Sequence, residues 1–182
     1  ISGERIWMEW RKILSGNFGL ELTLKMLELG LGPHIGLPDD PNFQKFKHIC
    51  QERSNLNPIT MLCALLRNET EMKDLHNRLK LSGFERDLGL FVIKNRGEKC
   101  HKNPVRPYQD LVIDSKSNVS DTRAWVEETL KYEGKIEILE IFQNWPTPKF
   151  PVTGHDLTSL GCPKGRLMSV FMYKLKDIWK DS

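Results

Sequence analysis

The chain has 182 residues, of which 39% are hydrophobic and 28% charged, and its formal net charge is +3. This balance is typical of a globular protein and excludes a disordered chain. The length suits one large domain or two small ones, and the net charge is too small to identify a partner by itself.

Cysteine spacing and hydropathy exclude further classes. No two cysteines are arranged as C-x-x-C, so a zinc site is not expected, and nothing indicates a disulfide framework. No apolar run is long enough to span a bilayer, and there is no secretory signal. The sequence begins with Ile1 rather than Met, in the middle of a helical pattern, so we expect it to be a fragment.

Helical signals begin at the first residues. Ser2 can cap a helix that ends near Gly16. Trp7 and Trp10 lie on this helix, and we expect them to have packed on a part that is missing from the chain and therefore to be exposed.

Three more helix starts are marked by capping residues. Asn57 precedes a proline, a favourable first helical residue, and Ser82 with Glu85 resembles a capping box. Ser120 can cap a helix that ends at Gly134. Trp125, inside that helix, is expected in the core.

The last forty residues read as a stiff passage followed by two helices. Three prolines between residues 146 and 151 favour an extended chain. Thr153 with Asp156 can open a short helix, and a final helix is predicted from about Pro163, with Phe171 in the core. No convincing strand is present, so the predicted fold class is all-α, with a helical body and a smaller helical tail.

The sequence lacks the groups that nucleotide transfer requires. Two metal ions are normally held by acids two residues apart after a glycine-rich turn, and no such pattern occurs, so we expect no catalytic residue and no metal ligand here. His155 and Asp156 resemble the His-Asp pair of some phosphohydrolases, but the further His and Asp of such a site are missing. The expected role of Asp156 is the cap with Thr153.

Positive charge is concentrated at the end of the chain. Residues 143–182 contain six bases and three acids, and the remaining residues contain 21 of each. Gly161 and Gly165 flank a turn, with Lys164 and Arg166 beside the start of the last helix, where free N–H groups can bind phosphate. The alternatives are a solvated basic face and glycines that serve packing alone.

Several segments, in order, resemble the class II CCA-adding tRNA nucleotidyltransferases of animals. ISGERIW resembles the end of their neck, and FPVTGHDL with Gly161 and Gly165 resembles their tail. Segments that resemble their body are IGLP, LGLFVIKNR, PYQD and LKYEG. The resemblance covers nearly the whole chain and divides it into the end of the neck (1–16), the body (17–100), a body–tail connection (101–148) and a basic tail (149–182).

The resemblance implies a function for the parent protein. Such enzymes add CCA to tRNA 3′ ends from CTP and ATP with Mg²⁺ and without a nucleic-acid template. Their catalytic head would precede Ile1, so the chain alone is expected to be inactive and to need no cofactor of its own. Its expected partner is tRNA, held at the acceptor and TΨC arms through the sugar-phosphate backbone, with no membrane contact; a homodimer is left open. The expected location is mitochondrial and cytoplasmic or nuclear.

The residues expected to contact RNA lie in the tail, whereas two residues in the first helix are expected to stabilise the neck. The RNA-binding set is Lys149, Gly154, His155, Gly161, Lys164, Gly165 and Arg166, and the neck-stabilising pair is Glu4 and Arg5. The alternative functions are a helical scaffold that binds protein, a relative of the bacterial poly(A) polymerases, and a small phosphohydrolase using His155 and Asp156.

Overall fold

The computed structural model describes residues 1–180, which form α-helices joined by turns and loops. Within this range there are eleven α-helices and no strand, which confirms the predicted all-α class. The helices are α1 (Gly3–Leu14), α2 (Gly19–Glu28), α3 (Phe43–Glu52), α4 (Pro58–Leu62), α5 (Glu69–Leu79), α6 (Gly83–Asn95), α7 (Arg106–Asp114), α8 (Val119–Glu133), α9 (Ile136–Asn144), α10 (Gly154–Ser159) and α11 (Arg166–Lys180). Single 3-10 turns lie at Pro33–Ile35 and Cys63–Leu65.

The chain divides into two compact units. The first comprises Ile1–Asn144 and contains α1 to α9, and the second comprises Trp145–Ser182 and contains α10 and α11. The predicted tail, residues 149–182, falls within the second unit. The predicted borders after residues 16, 100 and 148 remain predictions.

The core of the first unit is built around α4, α6 and α8. Helix α6 contacts α4, α5 and α8, while α8 also contacts α7 and α9. Apolar residues at helical spacing supply the buried side chains, which favours this packing because burial removes their surface from water. Fully buried members include Phe46, Ile59, Leu62, Leu75, Leu88 and Val92.

Most of the predicted caps are confirmed. The side chains of Ser2 and Asn57 each accept a backbone hydrogen bond at the start of their helix, and Ser82 and Glu85 form a reciprocal capping box. The cap predicted at Ser120 is wrong by two residues. Asn118 occupies that position, because its side-chain oxygen accepts from the Ser120 N–H at 2.8 Å.

The prediction that Trp7 and Trp10 are exposed is wrong. Trp10 is 1% exposed, and its indole N–H donates to Thr23 Oγ1 at 3.2 Å. Trp7 is also buried, and its indole N–H donates to Glu85 Oε1 at 2.8 Å. The described chain itself therefore covers both indoles and satisfies their N–H groups, which no local pattern in the first sixteen residues could reveal.

The second unit has a much smaller core. Leu157 is its only buried residue among those described, and Phe150 packs edge-on against Trp179 with ring centroids 5.3 Å apart. Phe171, expected in the core, is 48% exposed, so that prediction is wrong: Met168, Met172 and Leu175 occupy the better-covered face of α11 instead. In the first unit, by contrast, the burial predicted for Trp125 is confirmed.

Candidate nucleic-acid interface

The first glycine of the predicted binding turn ends α10. Gly161 has φ +84°, its N–H donates to Thr158 O at 3.0 Å, and the Cys162 N–H donates to Leu157 O at 2.9 Å. This is the Schellman arrangement, in which a left-handed residue closes a helix and satisfies its last carbonyl groups. The backbone therefore favours glycine at this position independently of any ligand.

The second glycine determines where the last helix begins. Gly165 has φ +110°, and α11 begins at Arg166 rather than near Pro163, as the sequence had suggested. That prediction is wrong because a left-handed backbone at Gly165 interrupts any helix that passes through it. A Cβ atom at either Gly161 or Gly165 would meet nothing within 4 Å, so the space beside both glycines is open to a ligand.

The second unit carries exposed positive charge, and two of its cations lie in this turn. Lys149, Lys164 and Arg166 are exposed, and none of them pairs with a carboxylate in the part of the chain that the structure describes. On the same unit Lys180 does form an ion pair, at 2.9 Å from Asp177. Because three cations have no internal acid to neutralise them, the arrangement favours contact with a polyanion.

The start of α10 confirms the role expected for Asp156. Its carboxylate accepts hydrogen bonds from the Thr153 N–H and hydroxyl, both at 2.7 Å, and its own N–H donates back to Thr153 Oγ1 at 3.3 Å. These bonds with Thr153, helped by the charge of His155, lower the pKa of Asp156. Among residues 1–180 there is no group of three or more His, Cys, Asp or Glu side chains that could hold a metal ion.

The other predicted site residues lie on α10 and α1. His155 is exposed in the first turn of α10, and Gly154 lies against α11, where a Cβ atom would be 3.4 Å from Met168 Sδ. Glu4 and Arg5 are exposed on α1, and within the described range their side chains have no hydrogen-bond or ionic partner. The part of the predicted site that forms one continuous segment is therefore Lys164, Gly165 and Arg166.

A second group of cations, five in number, lies in the first unit and was not predicted from the sequence. These cations line an open groove of about 680 Å³. We call it the basic groove and define it by Lys45, Arg53, Arg67, Arg96 and Lys135. No sequence signal marks it, because residues 1–142 contain equal numbers of bases and acids and the five cations come from distant segments.

The chain is homologous over its whole length to part of several known proteins. No family model matches it. Over 188 residues it is 39% identical to the mouse (Mus musculus) CCA tRNA nucleotidyltransferase 1, mitochondrial, 40% to the zebrafish (Danio rerio) protein of that name and 37% to the human (Homo sapiens) one. Each match includes 100% of this chain and 43% of the relative, so the chain spans less than half the length of these proteins.

Proposed function

Because the whole chain is homologous to part of the CCA tRNA nucleotidyltransferases, we propose that it is their tRNA-binding C-terminal region, serving a catalytic head outside these 182 residues. The observation that carries the proposal is the exposed turn of Lys164, Gly165 and Arg166, whose two cations have no acid partner in the described chain.

The turn suits a sugar-phosphate backbone. A lysine and an arginine on either side of a glycine can both reach phosphate oxygens, and the missing Cβ lets the backbone approach closely. Lys149 and His155 extend the polar surface of the same unit. Contacts of this kind do not read bases, which suits a protein that must accept every tRNA through its acceptor and TΨC arms.

The chemistry belongs to the proposed parent protein. In that proposal, CTP and ATP react at a head that holds Mg²⁺, and the present chain is inactive alone because the head lies outside it. Mitochondrial location is part of the proposal, since all three relatives carry that word in their names. A cytoplasmic or nuclear location and a homodimer remain predictions. Within the described residues no helix is both long and apolar enough to cross a membrane.

The test is binding of the purified chain to a tRNA that lacks CCA, with a single-stranded RNA of equal length as control, across a salt series. Preferential binding to tRNA that weakens as salt rises is expected, because phosphate contacts release counterions. Arg166→Glu should weaken tRNA binding about tenfold and reduce the salt slope by about 1.

A matched control lies on the same helix. Lys174 is an exposed cation of α11 eight residues beyond Arg166, roughly 12 Å along the axis. Lys174→Glu makes the same charge change and should have less than a threefold effect. Equal effects of the two variants would refute the placement of the site at the turn. Equal affinity for tRNA and single-stranded RNA would count against tRNA recognition and favour the protein-scaffold alternative.

A further inference from the structure

The basic groove of the first unit lies where four segments of the chain meet. Lys45 and Arg53 come from α3 and its end, Arg67 follows the second 3-10 turn, Arg96 follows α6, and Lys135 follows α8. Tyr132 forms part of its wall, with Lys45 Nζ lying 5.6 Å from the centroid of the phenol ring. The groove therefore gathers cations from residues 45 to 135.

The two acids in the groove leave most of its positive charge without a partner. Its lining contains two, Glu98 and Glu133. Glu133 is already engaged, because it accepts hydrogen bonds from the Tyr108 hydroxyl at 2.7 Å and from the Gly97 N–H and forms an ion pair with Lys135 at 2.9 Å.

Among the remaining cations, only Arg67 has a carboxylate partner, which is the exposed Asp40 outside the lining. No carboxylate in the described range pairs with Lys45, Arg53 or Arg96. Three positive charges thus face the same groove without an acid partner, an arrangement that attracts an anion.

Arg53 also has an unused hydrogen-bond donor. Its Nη1 donates to the Glu52 carbonyl at 3.2 Å, whereas its Nε is buried without a partner in the described chain. The guanidinium packs against Gly134, where a Cβ atom would lie 2.4 Å from Arg53 Cζ. An unpaired buried donor is unfavourable, so a small shift of this guanidinium toward an anion would recover a hydrogen bond.

The Arg96 guanidinium is held in place by hydrogen bonds within the protein. Its Nη1 donates to the Cys63 carbonyl at 2.6 Å and to Tyr132 Oη at 3.3 Å, and its Nη2 donates to the Leu66 carbonyl at 2.7 Å. These bonds hold the charge in place before any ligand arrives. A cation fixed in advance stabilises a bound anion without a further ordering cost.

We propose that the basic groove is a second binding site, for a phosphate group, with Lys45 and Arg53 as its direct contacts and Arg96 as a fixed charge behind them. The volume of about 680 Å³ exceeds what one phosphate fills, so the ligand is a phosphate-bearing chain: an RNA backbone or a free oligophosphate. This site does not rest on the proposed function, since it lies in the first unit and free oligophosphate alone can reveal it.

The experiment uses the full chain with two probes, inorganic tripolyphosphate and a tRNA lacking CCA. Binding of each is measured by calorimetry for the wild type, Lys45→Gln, Arg53→Gln and Lys47→Gln. Lys47 is the matched control, because it lies on the same helix but lines a different groove, beside Leu24 and Leu27. Lys45 is exposed, so Lys45→Gln tests the site even if Arg53→Gln impairs folding.

At least one probe should bind the wild type, with Lys45→Gln weakening that binding at least fivefold and Lys47→Gln less than twofold. If Lys45→Gln weakens tripolyphosphate binding and leaves the affinity for tRNA unchanged, the ligand is a free oligophosphate. If Lys45→Gln weakens tRNA binding, the ligand is the RNA backbone. If neither probe binds, or if Lys45→Gln affects binding no more than Lys47→Gln does, the site is refuted.

Discussion

At the scale of single residues, two glycines follow a serine cap but lie in very different surroundings. Gly3 begins α1 after Ser2, and Gly83 begins α6 after Ser82. A Cβ atom on Gly3 would lie 1.9 Å from the Arg78 carbonyl oxygen, whereas one on Gly83 would meet nothing within 4 Å. The backbone of α5 therefore approaches the first residue of α1 as closely as only glycine allows.

Gly3→Ala should lower the free energy of unfolding by about 1–3 kcal/mol, because backbone atoms must move to admit the methyl group. Gly83→Ala is the matched control and should change it by less than about 0.5 kcal/mol. Urea denaturation followed by circular dichroism measures both. Equal midpoints for the two variants would show that α1 does not pack against Arg78 as described.

Glu85 predicts a pH dependence of stability. Burial alone raises the pKa of this carboxyl, but hydrogen bonds from Ser82 and Trp7 outweigh it and lower the pKa below the ordinary value of 4.5. In such a case the unfolded state binds more protons, so the stabilisation is complete above the unfolded pKa and is lost as pH falls through the folded pKa.

Glu85→Gln should therefore flatten the fall in stability below about pH 5 and reduce stability at neutral pH by roughly 1 kcal/mol. The measurement is the free energy of unfolding from pH 3 to pH 7. Glu9→Gln, which alters an exposed glutamate, is the charge-matched control. An unchanged slope in Glu85→Gln would contradict the lowered pKa.

At the scale of elements, α10 depends on the hydrogen bonds at its two ends. It has six residues, closed by the Thr153–Asp156 box at one end and by Gly161 at the other. So short a helix has little stability of its own, because helix nucleation costs more than a few hydrogen bonds return. Of the predicted RNA contacts, His155 lies in the first turn of this helix and Gly161 lies just after its end, so both depend on its caps.

Thr153→Ala should destabilise α10 by about 1 kcal/mol, since it removes the acceptor for the Asp156 N–H. Thr158→Ala, whose hydroxyl only donates back to the Gly154 carbonyl at 2.9 Å, should cost less than about 0.5 kcal/mol. Amide hydrogen exchange at Leu157 and Cys162 reports the difference. Equal protection in both variants would mean that the box does not hold the helix.

At the scale of the whole molecule, the two units differ in the size of their hydrophobic cores. Residues 1–144 contain the large buried cluster, whereas in residues 145–180 only Leu157 is buried and Leu167, Tyr173 and Ile178 are more than half exposed. Because burial of apolar surface is the main driving force for folding, the first unit should hold most of the stability.

A chain cut after Asn144 should therefore keep a cooperative thermal transition, measured by calorimetry, close to that of the full chain. If the proposed function is right, it should also lose its preference for tRNA. If the basic groove is a phosphate site for tripolyphosphate, it should keep that affinity. Loss of the transition on truncation would show that the second unit is required for the first to fold.

Local sequence patterns determined the fold class and most of the helix caps of this protein. The all-α class, the caps at Ser2, Asn57 and Ser82, and the Thr153–Asp156 box follow from residues within one helical turn of each other, so the sequence was enough to predict them. The positive tail and its two glycines were visible for the same reason, and their role in RNA binding remains a prediction.

The tertiary structure decided what depends on residues far apart in the chain. Trp7 belongs to the buried cluster of the first unit, and its indole N–H donates to Glu85, which lies 78 residues later in the sequence. The charges of residues 1–142 cancel when counted along the chain, yet folding brings Lys45, Arg53 and Arg96 around one groove. Charge attracts a ligand through its position in space, and only the fold sets those positions.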